Sequence, residues 1–138
     1  MAVHSGRLEF STQGNGDVID LTDGVESVIL SAGVNAGVAT VFVPGATAAV
    51  TAMEFEPGGI QDLKSTLDRL VPPEGDYEHN RLNHDTNSHA HIRAAFVGPS
   101  ESVPFEDGRL VRGTWQQLVL LDFDDRPRRR TVTVTIVS

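Results

Sequence analysis

The sequence contains no cysteine and no long apolar run, and it has one lysine, one tryptophan and one tyrosine. Without cysteine there are no disulfides, no thiolate metal ligands, no iron–sulfur cluster and no cysteine nucleophile. Any transition-metal site would therefore rest on histidine and carboxylate. Without an apolar stretch of about 20 residues there is no candidate membrane-spanning helix. Met1-Ala2-Val3-His4-Ser5 lacks the charged and apolar regions of a signal peptide. A cytoplasmic protein is expected, and the absence of cysteine fits a reducing compartment. Basic charge is also scarce: the formal net charge is −8. That balance argues against a nucleic-acid binder, which needs a net basic face. No glycine-rich phosphate loop of the nucleotide-binding type is present, and no Ser/His/Asp triad can be read from linear spacing.

What is present fits one domain spanning residues 1–138, long enough to bury roughly two-thirds of its unfolded surface. Gly6–Thr12 reads as a first strand, and Val18-Ile19 begins a second after the Gly14-Asn15-Gly16-Asp17 turn. Asp23 with Glu26 has helix-start spacing, Val25, Val28 and Ile29 share a face, and Gly33 is placed to end that helix. Gly37–Val43 is apolar on both faces and belongs in the middle of a sheet. Ala46–Phe55 reads as a strand of small residues that lets a helix or a ligand approach its backbone, the helix being the default. Pro57 opens the strongest helix, with Ile60, Leu63, Leu67 and Leu70 on one face, and Pro72-Pro73 ends it. Ile92–Val97, Ser102–Phe105, Arg109–Arg112, Trp115–Phe123 and Arg129–Val137 read as five further strands, with an Asp107-Gly108 hairpin turn. The expected class is α+β: a largely antiparallel sheet, sandwich- or half-barrel-like, with two main helices.

The densest chemistry lies in the polar stretch from Tyr77 to Arg93, which holds four of the five histidines. As a loop of about 16 residues it far exceeds the usual median of about 4–6, and such loops are commonly functional. If His89 and His91 lie on a strand, both imidazoles project from one face, with Arg93 continuing it. Two readings are open. One is a metal or anion site, imidazole suiting zinc, copper, iron or nickel and arginine suiting phosphate. The other is a polar loop whose histidines are solvated or hydrogen-bonded. Arg93 either clamps a phosphate or pairs with Asp85 or Glu78. Glu54, if buried, suits a general acid or base; if exposed, it is a strand end. Trp115 is expected in the core or an interface rather than as a stacking platform. His84 and His4 are expected in solvent. Arg126, Arg128, Arg129 and Arg130 follow Asp122, Asp124 and Asp125 closely, so mutual pairing or a subunit contact is expected there.

Three segments resemble one family: Tyr77-Glu78-His79; Asn87-Ser88-His89-Ala90-His91-Ile92-Arg93-Ala94-Ala95-Phe96-Val97-Gly98-Pro99-Ser100; and Gly113-Thr114-Trp115-Gln116-Gln117 with the Asp-Phe-Asp and arginine-rich tail. They look like the YjbQ-like proteins, also called secondary thiamine-phosphate synthases. Pro44–Glu54 lines up as well, so the likeness covers nearly the whole chain. The resemblance implies a homotrimer with an acidic, histidine-bearing pocket near subunit contacts. It also implies weak coupling of a pyrimidine diphosphate to a thiazole phosphate, releasing pyrophosphate, in a family whose physiological role is open. By the same resemblance His79, His91 and Glu54 are catalytic candidates, and Thr47, Trp115 and Gln116 stand at family positions as substrate-binding candidates beside Arg93. The implied partner is a small phosphorylated ligand, and the implied cofactor a divalent metal, zinc or magnesium. One departure stands out. Where many relatives carry His-Thr-Thr-Ala or His-Thr-Ser-Ala, this chain has Gly45-Ala46-Thr47-Ala48. Either His89 or His84 then supplies the ligand missing from a three-histidine metal site with His79 and His91, or this chain binds no metal there. The alternatives are a metal-assisted hydrolase on such a site and a binding trimer without turnover.

Overall fold

The computed structural model describes residues 1–138. Its eight strands are β1 (Val3–Thr12), β2 (Asp17–Asp20), β3 (Ala36–Phe42), β4 (Ala48–Met53), β5 (Ser100–Glu106), β6 (Arg109–Leu110), β7 (Gln117–Asp122) and β8 (Arg128–Val137). They form two antiparallel sheets, β1-β8-β3-β5-β6 and β2-β7-β4, curled into a half-barrel. The helices are α1 (Thr22–Ala32), α2 (Pro57–Leu70), α3 (Glu78–Asn83) and α4 (Ser88–Val97). The class is α+β, with four helices where the sequence suggested two.

Strand alternation builds the main core. Ala39, Val41, Val132, Val134 and Ile136 point inward from the larger sheet and meet Leu21, Val25 and Ile29 at and within α1. Gly6 and Gly24 bring α1 down onto β1. A β-carbon at Gly6 would stand 2.7 Å from Val28, and one at Gly24 would stand 2.8 Å from Leu8. α1 starts at Thr22, whose N–H donates to Asp20 Oδ1 at 2.9 Å, so Asp23 lies in the first turn instead of capping it. Asp107 and Gly108 both have positive φ, 52° and 74°, which matches the twist of a two-residue hairpin.

The smaller sheet is covered on both faces. Val50, Leu118 and Leu120 face the main core, while Ala49, Val119 and Leu121 face Ala90 and Ala94 of α4. That double cover accounts for the unbroken apolar run in β7. Ala49 opposite Ala90 and Ala94 allows the helix close to the strand, as the small-residue reading of β4 anticipated. α2 is capped by Glu56, which accepts from the Gly58 N–H at 3.0 Å and from Gly59 N–H, and it stops before Pro72. Val3 pairs with Val137 along a continuous β1–β8 ladder, and Ala2 and Ser138 exchange backbone hydrogen bonds of 3.2 and 3.1 Å. No helix is long and apolar enough to cross a membrane.

Three strand expectations are corrected. Ile92–Val97 is helical, part of α4, because Ala90, Ala94 and Val97 recur at helical spacing and bury against β4 and β7. Arg109–Arg112 pairs only at its first two residues, and Trp115 and Gln116 lie in a turn before β7.

Candidate functional site

The helical form of residues 88–97 redistributes the histidines. Two residues apart on a helix means about 200° of rotation, so His89 and His91 point to opposite sides. His91 faces the Gly45–Thr47 turn, and its Nδ1 sits 2.9 Å from the Ala46 carbonyl oxygen, to which it donates. Carried by α3, His79 brings its ring edge-on to His91, with centroids 4.7 Å apart and planes at 68°. The asparagines of the stretch hold this pair. Asn87 Oδ1 lies 3.2 Å from His79 Nε2, and Asn83 Nδ2 donates to the His79 carbonyl at 3.0 Å. Asn80 Oδ1 accepts from the Ser88 N–H at 3.1 Å, which ties α3 to the start of α4. Asp85 approaches His79 Nε2 at 3.8 Å. Gly45, Ala46, Ala48, Ala95, Pro99 and His91 line an open cavity of about 270 Å³ beside the pair. A larger hollow of about 340 Å³ lies elsewhere, between β1 and α1, and has no such convergence of groups.

His89 lies in the interior, 4% exposed, and its Nδ1 has no hydrogen-bond partner. Burial, reinforced by the neighbouring Arg93 cation, lowers its pKa below the ordinary imidazole value, against weaker pulls from Asp125, Asp124 and Asp68. The trio His79, His89 and His91 therefore does not converge, and no three His, Asp or Glu side chains come together as a ligand set for zinc or magnesium. Two imidazoles fall short of the three protein ligands typical even of catalytic zinc. His84 is exposed, in the left-handed conformation that ends α3.

Arg93 is also buried and committed. Nε and Nη2 donate to the Val71 carbonyl at 3.1 and 2.7 Å, and Nη2 donates to Asp68 Oδ1 at 3.1 Å. It fastens α4 to the end of α2, so neither the phosphate clamp nor the pairing with Asp85 or Glu78 holds. Glu54 is exposed just past the end of β4. The β4–β7 ladder runs from Ala48 opposite Asp122 to Met53 opposite Gln117. Thr47, His79 and His91 gather at the first end; Glu54, Trp115 and Gln116 lie at the second, about 20 Å away by strand rise. Trp115 is 71% exposed within the chain, not in its core. Gln116 lines a separate cavity of about 230 Å³ with Ala52, Glu101 and Arg112.

Thr47 leads into a charged network that the histidine reading missed. Its Oγ1 accepts from Arg130 Nη2 at 2.7 Å and donates to Asp124 Oδ2 at 3.3 Å. Arg130 Nε and Nη2 grip Asp122 at 2.7 and 2.9 Å, and Thr12 donates to the same carboxylate at 2.6 Å. Arg128 Nε donates to Asp124 at 2.6 Å. Burial pushes the Asp124 carboxyl up, but hydrogen bonds from Arg128 and the Asp125 N–H outweigh it and hold it below its usual value. The hydrogen bond to Asp122 raises the Arg130 pKa against the opposing effect of burial. The pairing of arginine and aspartate across the β7–β8 turn matches the sequence expectation.

The fold is an antiparallel α+β half-barrel, and its candidate site is a histidine pair over a small-residue cleft, backed by a buried Arg–Asp network. Residues 6–138 match the family described as UPF0047 protein YjbQ-like. A UPF0047 protein of Archaeoglobus fulgidus is 39% identical, over 92% of this chain and 96% of its own length. YugU of Bacillus subtilis is 33% identical, over 95% of this chain and 97% of its own. The crystal structure of a YbjQ-like protein of unknown function from Sulfolobus solfataricus P2 superposes with a TM-score of 0.92 at 34% identity, covering 98% of this chain and 96% of that one. The chain belongs to the UPF0047 YjbQ-like family.

Proposed function

We propose that the protein acts on a small phosphorylated molecule, with His91 Nε2 as its acid–base group and His79 as the neighbour that steadies it. One observation carries this reading: His91 Nδ1 donates to the Ala46 carbonyl at 2.9 Å, 4.7 Å from the His79 ring centre to centre. A carbonyl that fixes the proton on Nδ1 leaves the Nε2 lone pair to exchange protons with a ligand. Coupling of a pyrimidine diphosphate to a thiazole phosphate, implied by the family resemblance, is the reaction to test first. Protonated Nε2 is suited to stabilise charge on the departing pyrophosphate. The test incubates the protein with both substrates and measures pyrophosphate. The native chain should release it above background, and His91→Ala should lower the rate by about 10²–10⁴-fold, the usual worth of acid–base catalysis. His4→Ala should change nothing. No release by the native chain sinks the transferase reading, and an unchanged His91→Ala rate sinks the role of His91.

We also propose a homotrimer in which the two ends of the β4–β7 ladder meet across subunit contacts. Support comes from the exposed apolar groups at the second end, Trp115, Phe55 and Val111. Such a contact would return Glu54, Trp115 and Gln116 to the neighbourhood of a histidine pair. The cytoplasmic setting expected from the cysteine-free composition goes with this proposal.

A further inference from the structure

Arg130 uses its donors unevenly. Nε and Nη2 form the fork to Asp122, and Nη2 also donates to Thr47, while Nη1 makes no hydrogen bond. The side chain is nevertheless almost enclosed, 8% of the residue being exposed. Unlike His89 Nδ1, this nitrogen is not sealed from solvent, so it is a free donor that water or a ligand oxygen can meet. Nη1 is directed at Gly45, where a β-carbon would stand 2.9 Å from it. Gly45 itself is exposed and has φ 125°, a backbone shape that suits only glycine. Its missing side chain leaves an opening above Nη1. On the same turn, the Ala46 carbonyl holds His91, and Gly45, Ala46 and His91 share one cavity wall. Residues 45–47 are consecutive, so the anchors of Arg130 and His91 lie within about 7 Å of backbone.

We infer that Gly45 is a window through which Arg130 Nη1 receives the phosphate of the ligand, beside His91. The inference rests on the reading of His91 above and adds the group that takes the ligand's charge, a task Arg93 cannot perform while bound to Asp68 and Val71. Asp122 and Asp124 are matched by Arg130 and Arg128, and the net charge of −8 repels anions at a distance. Phosphate recognition here is therefore short-ranged and directional, through the unspent N–H groups.

The test titrates inorganic phosphate into isotope-labelled protein and follows the Gly45 and Ala46 amide signals. The native chain should show a saturable shift, together with a shift of the Arg130 guanidinium carbon. Gly45→Ala and Arg130→Lys, each checked by thermal melting, should bind at least tenfold more weakly, and His91→Ala less than threefold. A folded Arg130→Lys chain with unchanged affinity overturns the window. So does a native chain whose Arg130 carbon does not move, which settles the matter even if both variants fail to fold. Phosphate binding retained without any pyrophosphate release removes the catalytic reading alone; release without phosphate binding at Arg130 removes this one alone.

Discussion

At position 89 an imidazole is enclosed with an unsatisfied Nδ1 and an arginine for a neighbour. Its pKa is lowered in the folded chain, so the unfolded chain binds that proton first as pH falls below about 6.5. The sign follows: stability is complete above that pH and is lost as pH falls towards and through the folded value. Urea unfolding at pH 7.5, 6 and 5 should show this loss, and His89→Leu should flatten the slope. Equal slopes in the two chains would remove His89 as its source. His91, two residues on, shows no such enclosure and carries the free nitrogen. About half a turn of helix thus separates an inward histidine, proposed to set acid tolerance, from an outward one proposed for chemistry.

Among the elements, α4 positions His91 only because β4 lets it come close. Ala49→Leu should overpack this contact at a cost of about 1–3 kcal/mol and push His91 off the Ala46 carbonyl. Chemical denaturation reads the first effect, and loss of the His91 Nδ1–H hydrogen bond in an imidazole NMR spectrum reads the second. Much of this architecture was legible in the residues. The alternation of β8 turns Val132, Val134 and Ile136 inward, and the same period puts Arg130 inward beside them, although its role at the site went unread. The apolar run of β3 marks a strand paired on both sides, and Asp107-Gly108 marks the hairpin. The histidine segment misled because His89 and His91 suggest a period of two, while Ala90, Arg93, Ala94 and Val97 follow the helical period and Gly98 stops it. What could not be read were pairings set by the fold. Arg93 finds Asp68, Asn87 finds His79, and Thr47 joins Arg130 across 83 positions. Linear spacing gives no sign of such partners.

Taken whole, the molecule leaves Trp115, Phe42 and Phe55 exposed on a chain of 14.9 kDa. Aromatic groups in the open are what an assembly covers. Light scattering at micromolar concentration should give three times the chain mass, and Trp115→Glu should shift it towards one. A native chain of monomer mass would sink the trimer. The closure of β1 against β8 has a different consequence, one of timing. Val3 must wait for Val137, far later in the order of synthesis. At a synthesis rate of about 5–20 residues per second, β1 stays unpaired for on the order of ten seconds, an open strand edge that could pair with other chains. The exposed face of that strand carries Ser5, Arg7, Glu9 and Ser11, polar and charged side chains of the kind that disfavour edge-to-edge association during that interval.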